Sequence, residues 1–151
     1  MSVHAAKSES SGVYTLVPSK SAGHDGVVAG EQVRVWVVDD QASFRRATAA
    51  TLAAMDDFVM AGECETGETA VEQMRSGDGD IVLMDIHMPG IGGIEATRQI
   101  CSARTDLMVV LMSTYDVEDL PAAAADCGAA SYLHKERLSP DLLRRIWRAA
   151  G

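Results

Sequence analysis

Aromatic residues are scarce, only 5% of the 151 residues, so aliphatic side chains, alanine and methionine must fill any core. Positive charge is in deficit: 13 lysines and arginines stand against 22 acidic residues, for a formal net charge of -9. That balance argues against sequence-independent DNA binding, which rests on neutralising phosphates with Lys and Arg. It argues equally against docking on an anionic membrane. No apolar stretch approaches the roughly 20 residues needed to span a bilayer. The first residues lack the apolar segment of a secretory signal, so the expected location is cytoplasmic. Cysteine is thin: Cys64, Cys101 and Cys127 are widely spaced and odd in number, and read as reduced thiols. A zinc site would want Cys or His pairs at short spacing, and there are none. What remains is a chain whose length suits one domain.

Residues 1–31 differ from the rest. Ser-Glu-Ser-Ser-Gly, Pro-Ser-Lys-Ser-Ala-Gly and His-Asp-Gly-Val-Val-Ala-Gly are small, polar and glycine-rich, without a sustained period. Such composition buries too little apolar surface to offset the entropy of ordering, and a disordered tail is expected. Val13-Tyr14-Thr15-Leu16-Val17 leaves open a docking strand or partner motif. The domain is expected over 32–151.

From Val33 the pattern is strand then helix, five times over. Strands are predicted at Val33–Val38, Phe58–Cys64, Ile81–Met84, Leu107–Met112 and Ala130–His134. Ile81–Met84 is the most apolar, as a central strand covered on both faces should be. Helices are predicted over Gln41–Met55, Glu68–Arg75, Gly93–Ala103 and Pro140–Ala149, the last capped by Ser139. The first should present Phe44, Ala47, Thr48, Thr51, Leu52 and Met55 on one face. A further helix is expected between the fourth and fifth strands, with Pro121 in its first turn and Gly128 at its end. Regular alternation of this kind gives an α/β fold with a parallel sheet and right-handed crossovers.

Polar groups close these runs. Asp39 and Asp40 end Val-Arg-Val-Trp-Val-Val, Asp85 ends Ile-Val-Leu-Met, Ser113 ends Met-Val-Val-Leu-Met, and Lys135 follows Ser-Tyr-Leu-His. Ligands of open parallel sheets bind outside the carboxyl ends of the strands. Three carboxylates, a hydroxyl and an ammonium should therefore meet in one crevice. That set suits a divalent cation and a phosphoryl group. Taken alone, Asp39-Asp40 reads equally well as the acidic start of a helix.

Asp39-Asp40, Asp85-Ile-His-Met-Pro-Gly-Ile-Gly-Gly-Ile-Glu-Ala, Ser113-Thr114 and Tyr132-Leu-His-Lys135 resemble the receiver domain of two-component response regulators, from about Gln32 to Ala150. The resemblance implies a flavodoxin-like (βα)5 fold with a five-stranded parallel sheet of order 2-1-3-4-5, and helices on both faces. That order would put Asp39 and Asp40 beside Asp85, where carboxylates repel unless a cation accompanies them. Hard oxygen ligands suit Mg²⁺. By resemblance, Asp40 and Asp85 bind the metal directly, Asp39 acts largely through water, and the His87 backbone carbonyl completes the set. Asp85 is then the phosphoacceptor and Lys135 the complementary charge. Ser113 and Tyr132 carry the conformational switch, and His87 and Tyr115 tune dephosphorylation. Two departures stand out. Glu136 follows Lys135 where many relatives have proline, which implies a looser loop, and Gly92 stands where many carry Asp or Asn.

The expected function is an Mg²⁺-dependent phosphoacceptor served by a sensor histidine kinase or phosphotransfer protein. It would catalyse only its own phosphorylation and dephosphorylation, and signal to a downstream protein. The chain stops after its last helix, so no helix-turn-helix output domain and no direct DNA binding are expected of it. It is either a stand-alone receiver or a fragment of a longer DNA-binding regulator. Ala122–Ala125 offers a small-residue face for docking or a homodimer, or else simply packs on the sheet. Two rivals stand beside this reading. A phosphohydrolase with an aspartate nucleophile would want an acid two residues beyond Asp85, where His87 sits. A receiver-like binding module that is never phosphorylated would not need the intact acidic cluster and Lys135.

Overall fold

The computed structural model describes residues 5–7, 13–16 and 31–150. In chain order the elements are β1 (Ala5–Lys7), β2 (Val13–Leu16), β3 (Val33–Val38), α1 (Ala42–Ala53), β4 (Phe58–Cys64) and α2 (Gly67–Met74). They continue with β5 (Ile81–Asp85), α3 (Gly92–Ala103), β6 (Met108–Ser113), β7 (Ser131–His134) and α4 (Pro140–Ala150). The strands form one sheet of order β1-β2-β7-β6-β5-β3-β4. Its parallel part, β4-β3-β5-β6-β7, has the expected order 2-1-3-4-5. The expected tail over 1–31 lies mostly outside the described residues. Within it, β2 pairs antiparallel with β7, and β1 with β2.

Strand periodicity sorts the core into two layers. Val35, Val37, Leu83, Val110 and Leu133 face one side, with Leu52 of α1 and Leu143 and Ile146 of α4. Trp36, Val38, Met84, Leu111 and Tyr132 face the other, with Ala70 and Met74 of α2 and Ala96 and Ile100 of α3. β5 is buried along its whole length, as a strand covered on both faces must be. The bulky Trp36 fits because its neighbours lack side chains: a Cβ at Gly62 or Gly79 would collide with the indole. The ring nitrogen donates to the Asp78 carbonyl at 2.8 Å, which satisfies its one polar group.

The helix expected before β7 does not form as one element. Two short 3-10 turns, Val117–Asp119 and Ala122–Ala125, stand in its place. Proline disfavours helical backbone in the residue before it, and Leu120, with φ -71° and ψ 141°, is extended. Pro121 itself is extended at ψ 147°, so it precedes the second turn rather than opening a helix. Ala122–Ala125 is thus a single tight turn with Ala124 buried, not a helical face. Gly128 does adopt the expected left-handed backbone, at φ 102°. α1 also differs in its inner face: Arg45, Thr48 and Leu52 are buried, whereas Ala47 is exposed. The three cysteines are buried and free of disulfides. Burial pushes the Cys64 thiol up to about 11.

Candidate functional site

β3 and β5 are neighbours in register, Val38 opposite Met84, so Asp39 and Asp85 emerge side by side at their carboxyl ends. Asp39, Asp40 and Asp85 each offer a carboxylate oxygen, and these lie within 4.8 Å of one another. Their surroundings differ. Asp39 and Asp85 are buried and Asp40 is exposed.

Asp39 is held from several directions. Its Oδ1 accepts the Gln41 amide at 2.8 Å, its own amide donates to the Cys64 carbonyl at 3.1 Å, and its carbonyl accepts Arg45 Nη1 at 2.6 Å. Arg45 in turn donates from Nε to Glu63 at 2.7 Å. A buried guanidinium therefore ties the end of β3 to β4 and the first turns of α1.

Lys135 follows β7 and projects back over the same crevice. Its Nζ lies 2.5 Å from Asp39 Oδ2 and 3.4 Å from Asp85 Oδ2, with its side chain only 10% exposed. The ammonium also sits 4.7 Å from the centre of the Phe44 ring, a cation–π contact that holds it from the α1 side. The missing proline after Lys135 does not leave the backbone irregular: Lys135–Arg137 forms a 3-10 turn, opened by His134 Nδ1 accepting the Glu136 amide at 3.2 Å.

Asp85 ends the central strand with one oxygen tethered, since Oδ1 accepts the His87 amide at 3.3 Å. Burial, and secondarily the nearby Asp39 carboxylate, push its carboxyl up to about 6, with Lys135 pulling the other way. The loop after it is packed so closely on α3 that a Cβ at Gly93 would run into the Asp85 carbonyl. The Gly93 amide donates to the Ile86 carbonyl at 3.1 Å.

β6 brings Ser113 to the same end, one residue beyond Met112, the register partner of Asp85. Ser113 is buried, and its Oγ accepts the Tyr115 amide at 3.0 Å. Tyr132, on the neighbouring strand, is fully buried with its hydroxyl donating to the Tyr115 carbonyl. The loop after β6 is thereby gripped from two sides. His87 and Tyr115 meet across the loops after β5 and β6, their ring centroids 4.4 Å apart and tilted by 43°.

The donor set fits a hard cation. Octahedral Mg²⁺ with ligands at about 2.1 Å sets its oxygens roughly 3 to 4 Å apart, and one oxygen from each of these three carboxylates lies within 4.8 Å of the others. The Lys135 ammonium is 2.5 Å from Asp39 Oδ2, so an ion taking that oxygen would replace one cation by another beside a buried carboxylate. Ser113, Tyr132, Lys135, His87 and Tyr115 are all drawn to this end of the sheet. Arg45, Phe44 and Gly93 were not evident as parts of the site from sequence. The only hint was Glu63 and Glu65 at alternate positions from β4, which give a helix arginine something to pair with.

Residues 35–147 match the family model of the response regulator receiver domain. Curated relatives include the response regulator UvrY of Escherichia coli K12, 38% identical over 114 residues, 76% of this chain and 52% of UvrY. Another is the response regulator GacA of Pseudomonas viridiflava, 37% identical over 103 residues, 68% of this chain and 48% of GacA. The chain spans about half the length of these relatives. Among solved structures, the signal receiver domain of NarL from Mycobacterium tuberculosis superposes with a TM-score of 0.70 at 29% identity, over 80% of this chain and 97% of that one. The response regulator domain of Thermotoga maritima CheB does so at 0.70 and 28%, over 79% and 96%.

Proposed function

The chain belongs to the response regulator receiver family, and we propose that residues 32–151 form a receiver that accepts a phosphoryl group on Asp85 from a histidine kinase or phosphotransfer protein. The observation that carries this is Asp85 itself, buried at the end of the central strand with Asp39 and Asp40 beside it and the Lys135 ammonium 3.4 Å away. In the transfer, Asp85 Oδ2, which faces the Lys135 ammonium, attacks phosphorus, the bond from phosphorus to the donor nitrogen breaks, and the donor imidazole keeps that electron pair. Asp85 Oδ1 stays tethered to the His87 amide. Lys135 compensates the charge delivered to the crevice.

Asp39, Asp40, Asp85 and the His87 backbone carbonyl would hold Mg²⁺, which when bound offsets repulsion between carboxylate and phosphoryl oxygens. Ser113 and Tyr132 would read the phosphoryl group. The Ser113 hydroxyl is already an acceptor at the right strand end, and the Tyr132 ring is already inward. Phosphorylation would bias a two-state equilibrium through these contacts and pass the change to a downstream protein. Among the described residues no helix is long and apolar enough to cross a membrane.

A second reading follows from the span of the match. Relatives about twice as long include a transcriptional regulatory protein, DegU of Brevibacillus brevis, so this receiver would serve a longer regulator's output. Both readings share the same chemistry. Incubation with acetyl phosphate and Mg²⁺ tests it by intact mass: the protein gains one phosphoryl group and Asp85→Asn gains none. Equal labelling of the variant would refute Asp85 as acceptor.

A further inference from the structure

β7 would be the edge of the parallel sheet were it not for the N-terminal segment. Val13 pairs with Leu133, Tyr14 with Tyr132 and Thr15 with Ser131, all antiparallel. A strand edge presents a row of unpaired amides and carbonyls, open to any extended chain. We propose that the β7 edge is an acceptor site for an extended strand and that Val13–Leu16 of the same chain is its occupant. The N-terminal hairpin is then a cap, made in cis, that closes the receiver's sheet.

Three observations support the occupant. First, direction fits. β2 runs against β7, and β7 runs parallel with β3 through β6 and β5, so Leu16 lies at the end of the sheet where Val33 begins. Second, length fits. Four strand spacings of about 4.8 Å separate β2 from β3, roughly 19 Å in all. Sixteen residues, 17–32, can reach about 50 Å when extended, more than that separation. Third, the new outer edge is a poor template. β1 has only 3 residues and ends in Lys7, and short, lysine-bearing edges resist further pairing.

The consequence is exclusion. Any second copy or partner that would add a strand to β7 must first displace Val13–Leu16. The strand so covered holds Tyr132 and leads directly into Lys135. The inference stands whether or not Asp85 is phosphorylated.

Hydrogen–deuterium exchange on the full chain tests it. In the wild type the β7 amides that do not bond to β6 should be protected. Tyr14→Pro with Thr15→Pro breaks β2 at its central pairing, and the β7 amides that donate to β2 should exchange about tenfold faster or more, since each loses its ladder acceptor. Amides of β3 and β5 should keep their rates. Unchanged β7 rates overturn the proposal. A second variant needs no disruption: Thr15→Cys with Ser131→Cys places two thiols on directly paired residues. Mild oxidation should join them within one monomer, as seen by peptide mapping and light scattering. A covalent dimer would put the occupant in trans and overturn the cis assignment, and no 15–131 linkage would overturn the pairing itself.

Discussion

The Lys135 ammonium lies nearer Asp39 than Asp85, 2.5 Å against 3.4 Å. The lysine therefore does two things in this state. It is the counter-ion of the most buried carboxylate in the crevice, and it leaves Asp85 only partly compensated, with its carboxyl pushed up to about 6 by burial and by Asp39. Lys135 thus faces both carboxylates and is placed to pair with charge acquired at Asp85.

Removing that ammonium should expose its first duty. Lys135→Met leaves buried carboxylates without their counter-ion, a loss on the order of 3 kcal/mol in metal-free buffer. Mg²⁺ binds only the folded cluster and stabilises by mass action. The gap between variant and wild type should narrow as Mg²⁺ is added. Urea unfolding with and without the metal measures it, and a gap independent of Mg²⁺ would mean that the cluster is not the metal's site.

Tyr132 should matter for stability through its hydroxyl. That group is fully buried and donates to the Tyr115 carbonyl. Tyr132→Phe keeps the packing and strands the carbonyl, which should cost about 1 kcal/mol. Labelling by acetyl phosphate should still reach one phosphoryl group per chain. A variant as stable as the wild type would show that the hydroxyl does not grip the loop.

The strand-and-aspartate pattern was legible because apolar runs of strand length each end in a polar group, and parallel sheets align those ends. Asp39, Asp40, Asp85, Ser113 and Lys135 needed nothing more to be placed together. The helix expected from Pro121 to Gly128 does not form, because the proline sets Leu120 extended and two short turns stand in its place. Arg45 was missed because a charged helix residue normally faces water. Its burial depends on Glu63 and the Asp39 carbonyl, which become neighbours only once β3 and β4 pair. The cradle around Trp36 draws on Gly62 and Gly79 from separate segments, a coincidence no local pattern reveals.

Acid should weaken one specific tie. Arg144 donates to Asp57 at 2.8 and 3.0 Å, and this hydrogen bonding holds the Asp57 carboxyl below its ordinary range. A carboxylate whose folded pKa is depressed stabilises the native state above its unfolded pKa of about 3.9, and loses that contribution as pH falls through the folded value. Asp57→Asn should thus be less stable than wild type at pH 7, with the difference shrinking toward pH 3. The effect will be small, because the Asp57 side chain is 47% exposed and solvent screens the pair. A difference that grows with acid would contradict the assignment.

Phosphoryl lifetime should respond to the two rings that meet beyond Asp85 and Ser113. His87 and Tyr115 lie 4.4 Å apart between their centroids, and neither offers the carboxylate or amide that would orient an attacking water. The wild type should hold its phosphoryl group longer than His87→Asn with Tyr115→Glu. Decay after removal of the donor measures both, and equal lifetimes would show that these side chains do not set the rate.

The central claim is an acyl phosphate on Asp85, and its location can be read chemically. Borohydride reduces an aspartyl phosphate to homoserine, which marks the acceptor permanently for peptide mass spectrometry. After acetyl phosphate and Mg²⁺, the mark should appear at position 85 alone and vanish when the metal is chelated. A phosphoryl group retained on His87 or Ser113 with position 85 unmarked, or a mark at 85 that persists without metal, would contradict the account.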